Sequence, residues 1–256
     1  MKRFFIILAL SCLCLVQTSS AQTNTKDFTT PGTYKFVVPK GITMLTVSLW
    51  GAGGWGGGGN GTGGKGGFVS GSVNVKEGET LLFIVGPGGT RGKEGGITAI
   101  RRDTANIAIA AAGGNGSSHG GRGGDGGPSG MGGTIGSGLF HSGNSGAGAS
   151  MTNGGIGGST STGMNGKNGA SLKGGTNNAK AIGEGWGGDG WFGGGAAATF
   201  ESAMLSGDPY ASGGGGGGSN YTKGLSGTIT NSSKGSEGGV GSNSGVYGKI
   251  SVSLGR

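Results

Sequence analysis

Apolar and polar residues alternate along several stretches between Phe28 and Ala112, and this two-residue period predicts half-buried β-strands. Turn-forming pairs such as Pro31-Gly32 separate the stretches. Six strands are predicted here, at residues 34–38, 45–49, 68–75, 81–85, 97–101 and 107–112. The alternation returns near the C-terminus in Val246, Ile250, Val252 and Leu254, where a last strand is expected to pair back into the first sheet. The pattern therefore predicts an all-β fold, a sandwich of about seven strands within residues 28–112 and 246–254.

The stretch between the sixth and the last predicted strand, at about residues 113–245, is dominated by glycine. Seventy of the 72 glycines follow Trp50, so that the last 206 residues are about one-third glycine, against a usual ~7%. Glycine loses more backbone freedom on folding than any other residue and adds no side chain to a core. Such a segment stays disordered unless its backbone amides pair systematically.

Glycine also recurs at every third position in several runs, which predicts polyproline-II-type helices with about three residues per turn. The longest run is Gly121, Gly124, Gly127, Gly130, Gly133 and Gly136, and shorter ones begin at Gly51, Gly58, Gly163 and Gly235. The register breaks between runs, and five prolines are too few for collagen. We therefore predict a bundle of short glycine helices, inserted into the sandwich and joined laterally by backbone hydrogen bonds. Sandwich and bundle are expected to form one cooperative unit.

The first 21 residues have the pattern of a secretory signal peptide. Lys2 and Arg3 precede an apolar run at residues 4–16, and small residues lead to a predicted cleavage site near Ala21. The apolar run is too short for a membrane span of ~20 residues. Cys12 and Cys14 would leave with this peptide, so the mature domain, residues 22–256, is expected to be secreted or held at the cell surface without a thiol.

Charge and composition exclude several classes of function. Loss of Lys2 and Arg3 lowers the formal charge from +8 to +6, and only 12% of the residues are charged. The basic residues are scattered, whereas a nucleic-acid-binding protein concentrates Lys and Arg on one element. No second apolar stretch is long enough to cross a bilayer. We expect no nucleic-acid partner and no transmembrane segment; the oligomeric state is left open.

The residues with catalytic potential form no recognisable constellation. His119 and His141 are the only histidines, and both lie in glycine-rich surroundings without a cluster of carboxylates. The aspartates of the glycine-rich region, such as Asp125 and Asp189, have no spacing typical of a paired acid and base. All of these are expected to be solvated loop residues. The sequence thus predicts a protein that is not an enzyme and uses no metal or cofactor.

Four segments resemble a known family in the same order along the chain. They are WGAGGWGGGGNGTGGKGGFVSGSVNVKEGETLLFIVGPGG at residues 50–89, GGITAIRR at 95–102, IAIAAAGGNG at 107–116 and GGGGGGSNY at 213–221. These segments are similar to the extracellular glycine-rich domain of the anaplastic lymphoma kinase and leukocyte tyrosine kinase receptors and its bacterial relatives. The opening FTTPGTYKFVVPKGITMLTVSLWGAGG resembles glycine-rich domains of bacterial surface proteins and phage tail fibres.

The resemblance implies a tumour-necrosis-factor-like, jelly-roll-like β-sandwich that carries an inserted bundle of polyproline-II-type glycine helices. It also implies binding, because the receptor domain receives a protein ligand and the phage domains present loops to host surface receptors. The chain differs from the receptors in having no kinase, no transmembrane helix and no cysteine in the mature part. Receptor signalling is therefore excluded, and the ligand is not specified.

Aromatic residues within the glycine-rich region are the candidate ligand-binding residues. Trp186, Trp191 and Phe192 lie in GEGWGGDGWFGGG, Tyr210 lies in GDPY, and Phe200 lies in AAATFESAML, which we interpret as a loop leaving the scaffold. Two interpretations stay open: the rings cap the glycine helices and shield backbone bonds from water, or they form an exposed platform for a sugar or a protein.

The sequence favours a secreted, non-enzymatic binding or adhesion module that presents loops on a rigid glycine-helix scaffold to a surface glycan or protein. The alternative is a structural protein of the extracellular matrix, or a spacer, without a specific ligand. Ice binding is a third hypothesis, but it would call for sustained rows of Thr or Ala at three-residue spacing, which the sequence lacks.

Overall fold

The protein is all-β in the part of the chain that the structure, a computed structural model, describes: residues 24–136, 144–161, 163–177, 184–200, 210–211 and 213–255. No helix occurs in these ranges. The strands are β1 (Thr25–Phe28), β2 (Gly32–Val37), β3 (Met44–Trp50), β4 (Phe68–Asn74), β5 (Thr80–Val85), β6 (Thr98–Arg102), β7 (Ala105–Ala110), β8 (Thr199–Phe200), β9 (Tyr210–Ala211), β10 (Ser226–Ser232) and β11 (Lys249–Gly255).

Two antiparallel sheets contain all of these strands except β8 and β9, which pair with each other. One sheet has five strands in the order β1-β11-β3-β4-β10, and the other has four in the order β2-β5-β6-β7. The C-terminal strand β11 lies between β1 and β3, so the predicted return of the last strand to the first sheet is observed.

The buried faces of the two sheets meet in one hydrophobic core, which makes the fold sandwich-like. Alternate residues of β3 and β5, such as Leu45, Leu49 and Phe83, are completely buried. The ring of Phe83 stacks on Phe36 within its own sheet, with centroids 4.8 Å apart, and meets Phe28 of the other sheet edge-on at 5.2 Å. Aromatic contact of this kind joins the two layers.

The structure adds two edge strands to those predicted from the sequence. β1 pairs with β11, and β10 extends the five-stranded sheet by pairing with β4. β10 has the sequence SGTITNS, whose single large apolar residue, Ile229, is exposed, and so no apolar alternation indicates a strand there. Edge strands are held by backbone pairing, which leaves little trace in the sequence.

The glycine-rich segments are joined to one another by backbone hydrogen bonds, arranged around residues 214–219. Gly214 donates to Thr134, and Gly217, three residues later, donates to Met131 in the same segment. The N–H groups of residues 214–219 donate hydrogen bonds to three neighbouring segments in turn, at residues 131–134, 112–115 and 192–195. The carbonyl groups of the same residues accept hydrogen bonds from three other segments, at residues 124–127, 146–149 and 188–191. Residues three apart in this stretch thus bond to the same neighbouring segment.

The segments approach so closely that a side chain does not fit between them. A Cβ atom on Gly215 would overlap the carbonyl of Trp186, and one on Gly216 would overlap the carbonyl of Ala147. Glycine is required at these positions because backbone lies directly against backbone.

Two completely buried asparagines bond these segments to other parts of the chain, and Asn220 connects them to the sheets. Asn220 Oδ1 accepts a hydrogen bond from the N–H of Ala111, directly after β7, and its Nδ2 donates to Asn231 Oδ1 in β10, at 2.8 and 2.7 Å. Asn115 Oδ1 accepts from the N–H of Trp55 at 2.9 Å. Both side chains pair backbone groups that would otherwise be buried without a partner.

Candidate functional site

Two of the predicted site residues, Trp191 and Phe192, form an aromatic cluster with Tyr221. The Trp191 ring lies 4.5 Å from the Tyr221 ring and 6.0 Å from the Phe192 ring, measured between centroids, and all three side chains are half-buried. The Trp191–Phe192 pair is edge-on, a geometry that aromatic rings favour. The cluster therefore presents aromatic edges and faces at the surface of the glycine-rich region.

The backbone beneath this cluster is hydrogen-bonded at each of its three residues. The N–H of Trp191 donates to the carbonyl of Ser219 at 2.7 Å, and the N–H of Ser219 donates to the carbonyl of Phe192 at 2.9 Å. Tyr221 and Ile109 of β7 exchange two hydrogen bonds of 2.9 Å. The rings are thus attached to fixed backbone rather than to a free loop.

Trp186 lies in the same segment but has different partners. Its indole N–H donates to Asn177 Oδ1 at 2.8 Å, and Asn177 Nδ2 donates to the carbonyl of Glu184 at 2.7 Å. The Trp186 carbonyl accepts from the N–H of Asn115. A half-buried indole with its N–H bound within the protein fits the capping interpretation better than an open platform.

Phe200 and Tyr210 pair with each other through their backbones in β8 and β9, and their side chains lie outside the described part of the structure. The interpretation of AAATFESAML as a loop leaving the scaffold is wrong for its first residues. Ala196, Ala197 and Ala198 are completely buried, and their N–H groups bond to other glycine-rich segments. Alanine is small enough to continue such a segment. Residues 201–205 lie outside the described residues.

The expectation that Asp189 is solvated is also wrong. Only 14% of its side chain is exposed; Oδ1 accepts a hydrogen bond from the N–H of Gly174 at 2.8 Å and lies 3.8 Å from Lys173 Nζ. Lys173 also pairs with Glu94, and this ion-pair cluster borders a cleft of about 400 Å³. Burial raises the pKa of Asp189 in spite of these partners.

Glu184 is a second acidic residue, half-buried, that no sequence pattern singled out. Burial raises the pKa of its carboxyl group, while the N–H of Ala211 donates to Oε2 at 3.3 Å and opposes the shift. Within the described residues, no three His, Cys, Asp or Glu side chains are grouped closely enough to hold a metal ion. Asp189 and Glu184 each accept a hydrogen bond from the backbone of another segment.

Sequence reasoning missed an aromatic cleft on the outer side of the five-stranded sheet. Trp50 of β3 lies between Lys249 of β11 and Phe68 of β4 in one cross-strand row. The Trp50 and Phe68 rings are 5.0 Å apart, and Lys249 Nζ lies 5.2 Å from the centroid of the Trp50 ring. Tyr247, with 52% of its surface exposed, helps to line a cleft of about 460 Å³ there. A signal was present, because Trp50 follows Thr46 and Ser48 on the polar side of a clearly alternating strand.

Comparison with protein-family models and with curated proteins found no significant match for this chain. Across the described ranges, no helix combines the length and apolar character needed to span a bilayer.

Proposed function

We propose that the protein is a secreted, non-enzymatic binding module in which a bundle of polyproline-II-type glycine helices, inserted into a tumour-necrosis-factor-like sandwich, carries aromatic residues that bind a surface glycan or protein. The observation that carries this proposal is the aromatic cluster of Trp191, Phe192 and Tyr221 on hydrogen-bonded backbone. Rigid aromatic side chains lose little entropy on binding, which makes them effective anchors for a ligand.

The three-residue pattern of hydrogen bonds around residues 214–219 supports the helical part of the proposal. A polyproline II helix has three residues per turn and makes no internal hydrogen bonds, so that each of its three faces can bond to a different neighbour. Glycine at the points of contact permits the close approach. A scaffold of this kind holds aromatic side chains in place without a large hydrophobic core.

The proposal is tested by applying the mature protein, residues 22–256, to a glycan array and to pull-down from bacterial and eukaryotic cell-surface extracts. Trp191→Ala and Phe192→Ala, singly and together, should weaken each interaction at least tenfold, because central aromatic residues dominate binding energies. Both changes keep the backbone hydrogen bonds that hold the segment. Ile156→Ala, which truncates an apolar side chain that is 69% exposed, is the matched control and should bind as the wild type does.

Equal binding by the wild type and the double variant would refute the proposed site. If the folded wild-type protein bound nothing and instead assembled with itself on a sizing column, the structural alternative would replace the binding function.

A further inference from the structure

The outer face of the five-stranded sheet is covered by hydroxyl side chains in register. Leu45, Val47 and Leu49 of β3 are completely buried, so the intervening Thr46 and Ser48 project from the opposite face. One row of hydroxyls crosses four strands through Thr25, Ser253, Thr46 and Ser72. The adjacent row comprises Ser251, Ser48, Ser70 and Thr230.

This face carries almost no net charge. Among the outward-facing residues of its strands, Asp27 and Lys249 are the charged side chains, and they pair with each other at 2.8 Å. Lys249 and Ser251 beside Asp27 keep the pKa of its carboxyl group below the usual value, so this carboxylate stays ionised around neutral pH. A strongly charged ligand would find no unpaired partner of opposite sign in these rows.

The aromatic cleft described above forms the third row of the same face. Lys249, Trp50, Phe68 and Ser232 follow one another across β11, β3, β4 and β10. Tyr247 and Val246 stand at the border of the cleft with more than half of their surfaces exposed. An aromatic row is therefore continuous with two rows of hydroxyls.

We infer that this sheet face is a second binding site and that its ligand is a neutral glycan chain. A pyranose ring has an apolar face of C–H groups, which packs on an aromatic ring, and a periphery of hydroxyl groups that both donate and accept hydrogen bonds. Ser and Thr hydroxyls have the same double capacity and can rotate to suit either role. At 4.7–4.9 Å between strands, the five strands offer a face about 20 Å across, enough for several sugar rings.

The site shares no residue with the cluster of Trp191, Phe192 and Tyr221, so variants of its own residues test it apart from the proposed function. The mature protein is run in affinity electrophoresis through gels that contain xylan, mannan or mixed-linkage β-glucan, with polygalacturonate as the charged comparison. The wild-type protein should be retarded by at least one neutral polymer. That retardation should persist in 0.5 M NaCl, because it does not depend on exposed charges.

Two variants probe the site from different sides. Tyr247→Ala removes an exposed ring at the cleft, and Ser70→Lys puts a long charged side chain among the hydroxyls without touching the core. Each should weaken the interaction with the neutral polymer at least tenfold, while the melting temperature changes little. Thr33→Lys, on the outer side of the other sheet, is the matched control for Ser70→Lys and should be retarded like the wild type.

Any of three results would overturn the inference: no retardation of the wild type by a neutral polymer, full retardation of both Tyr247→Ala and Ser70→Lys, or retardation only by polygalacturonate and only at low salt. Loss of retardation in Trp191→Ala with no effect of Tyr247→Ala would assign glycan binding to the bundle instead.

Discussion

Gly216 lies at the centre of the glycine-rich region with the carbonyl of Ala147 directly against it. That carbonyl accepts a hydrogen bond from the N–H of Gly195 and is therefore held in place. Gly216→Ala should lower the free energy of unfolding by roughly 1–3 kcal/mol, the usual cost of forcing an atom into a closely packed site. Urea unfolding followed by circular dichroism measures the change.

Gly132→Ala is the matched control for this prediction. Gly132 is exposed, its nearest neighbour to an added Cβ is 3.7 Å away, and its φ is not positive. Alanine there should be neutral or stabilise by a few tenths to ~1 kcal/mol, since it restricts the unfolded chain. Equal unfolding midpoints for the two variants would contradict the close packing of the central segment.

The buried carboxyl group of Asp189 predicts a dependence of stability on pH. Its pKa is raised in the folded protein, so there is a pH range in which the folded state keeps this carboxyl group protonated while the unfolded chain has lost the proton. The free energy of unfolding therefore falls as the pH rises from the ordinary pKa of aspartate through the raised one. Asp189→Asn keeps the acceptor for the Gly174 N–H and should flatten this part of the profile.

Urea unfolding of wild type and Asp189→Asn from pH 3.5 to 8 tests this prediction. Asp103→Asn, at an exposed turn between β6 and β7, serves as the control and should leave the profile unchanged. If Asp189→Asn and Asp103→Asn show the same dependence of unfolding free energy on pH, Asp189 is not the group responsible for it.

At the scale of elements, Asn220 joins the glycine-rich region to both sheets. It bonds to the N–H of Ala111 after β7, to Asn231 in β10 and to the carbonyl of Phe68 in β4. Asn220→Ala leaves the Ala111 N–H buried without its partner, which should cost about 1–3 kcal/mol of unfolding free energy.

Amide hydrogen exchange locates that effect. Protection at Ala111 and along β10 should drop more than protection along β2 and β5, which Asn220 does not contact. Asn243→Ala, at an exposed position, is the control and should exchange as the wild type does. Uniform loss of protection in both sheets would instead indicate a purely global effect.

At the scale of the whole molecule, the sheets and the glycine-rich segments are expected to unfold together. β7 ends at Ala110 and the chain continues directly into residues 112–116, which bond to segments around residues 52–55, 124 and 186–189. Tyr221 also exchanges two hydrogen bonds with Ile109 of β7, and Asn220 bonds to Asn231 of β10, so neither part can separate from the other without breaking bonds between them. Hydrogen exchange at increasing urea should therefore show residues 112–136 and 213–219 losing protection at the same concentration as β3 and β11. Earlier loss in the glycine-rich segments would show two separable units.

The strands of the sandwich were largely predictable because burial on one face enforces alternation: β2 to β7 and β11 all lie within or close to their predicted ranges. β1 and β10 could not be predicted, because edge strands with polar side chains show no alternation of apolar and polar residues. Among the candidate site residues, Trp191 and Phe192 do lie together, but their partner Tyr221 was not foreseen. It comes from a segment distant in sequence, and only packing brings it there.

The sequence by itself determined the all-β fold, since burial of one face of each strand enforces the alternation of apolar and polar residues; which glycines tolerate no side chain depends on close contacts between segments far apart in the chain. The tertiary structure alone decided which segments became neighbours. It left only 14% of the Asp189 side chain exposed, placed Trp191 against Tyr221, and aligned the hydroxyls of five strands in rows beside Trp50. These arrangements depend on hydrogen bonds and contacts between residues far apart in the chain, and no local pattern encodes them.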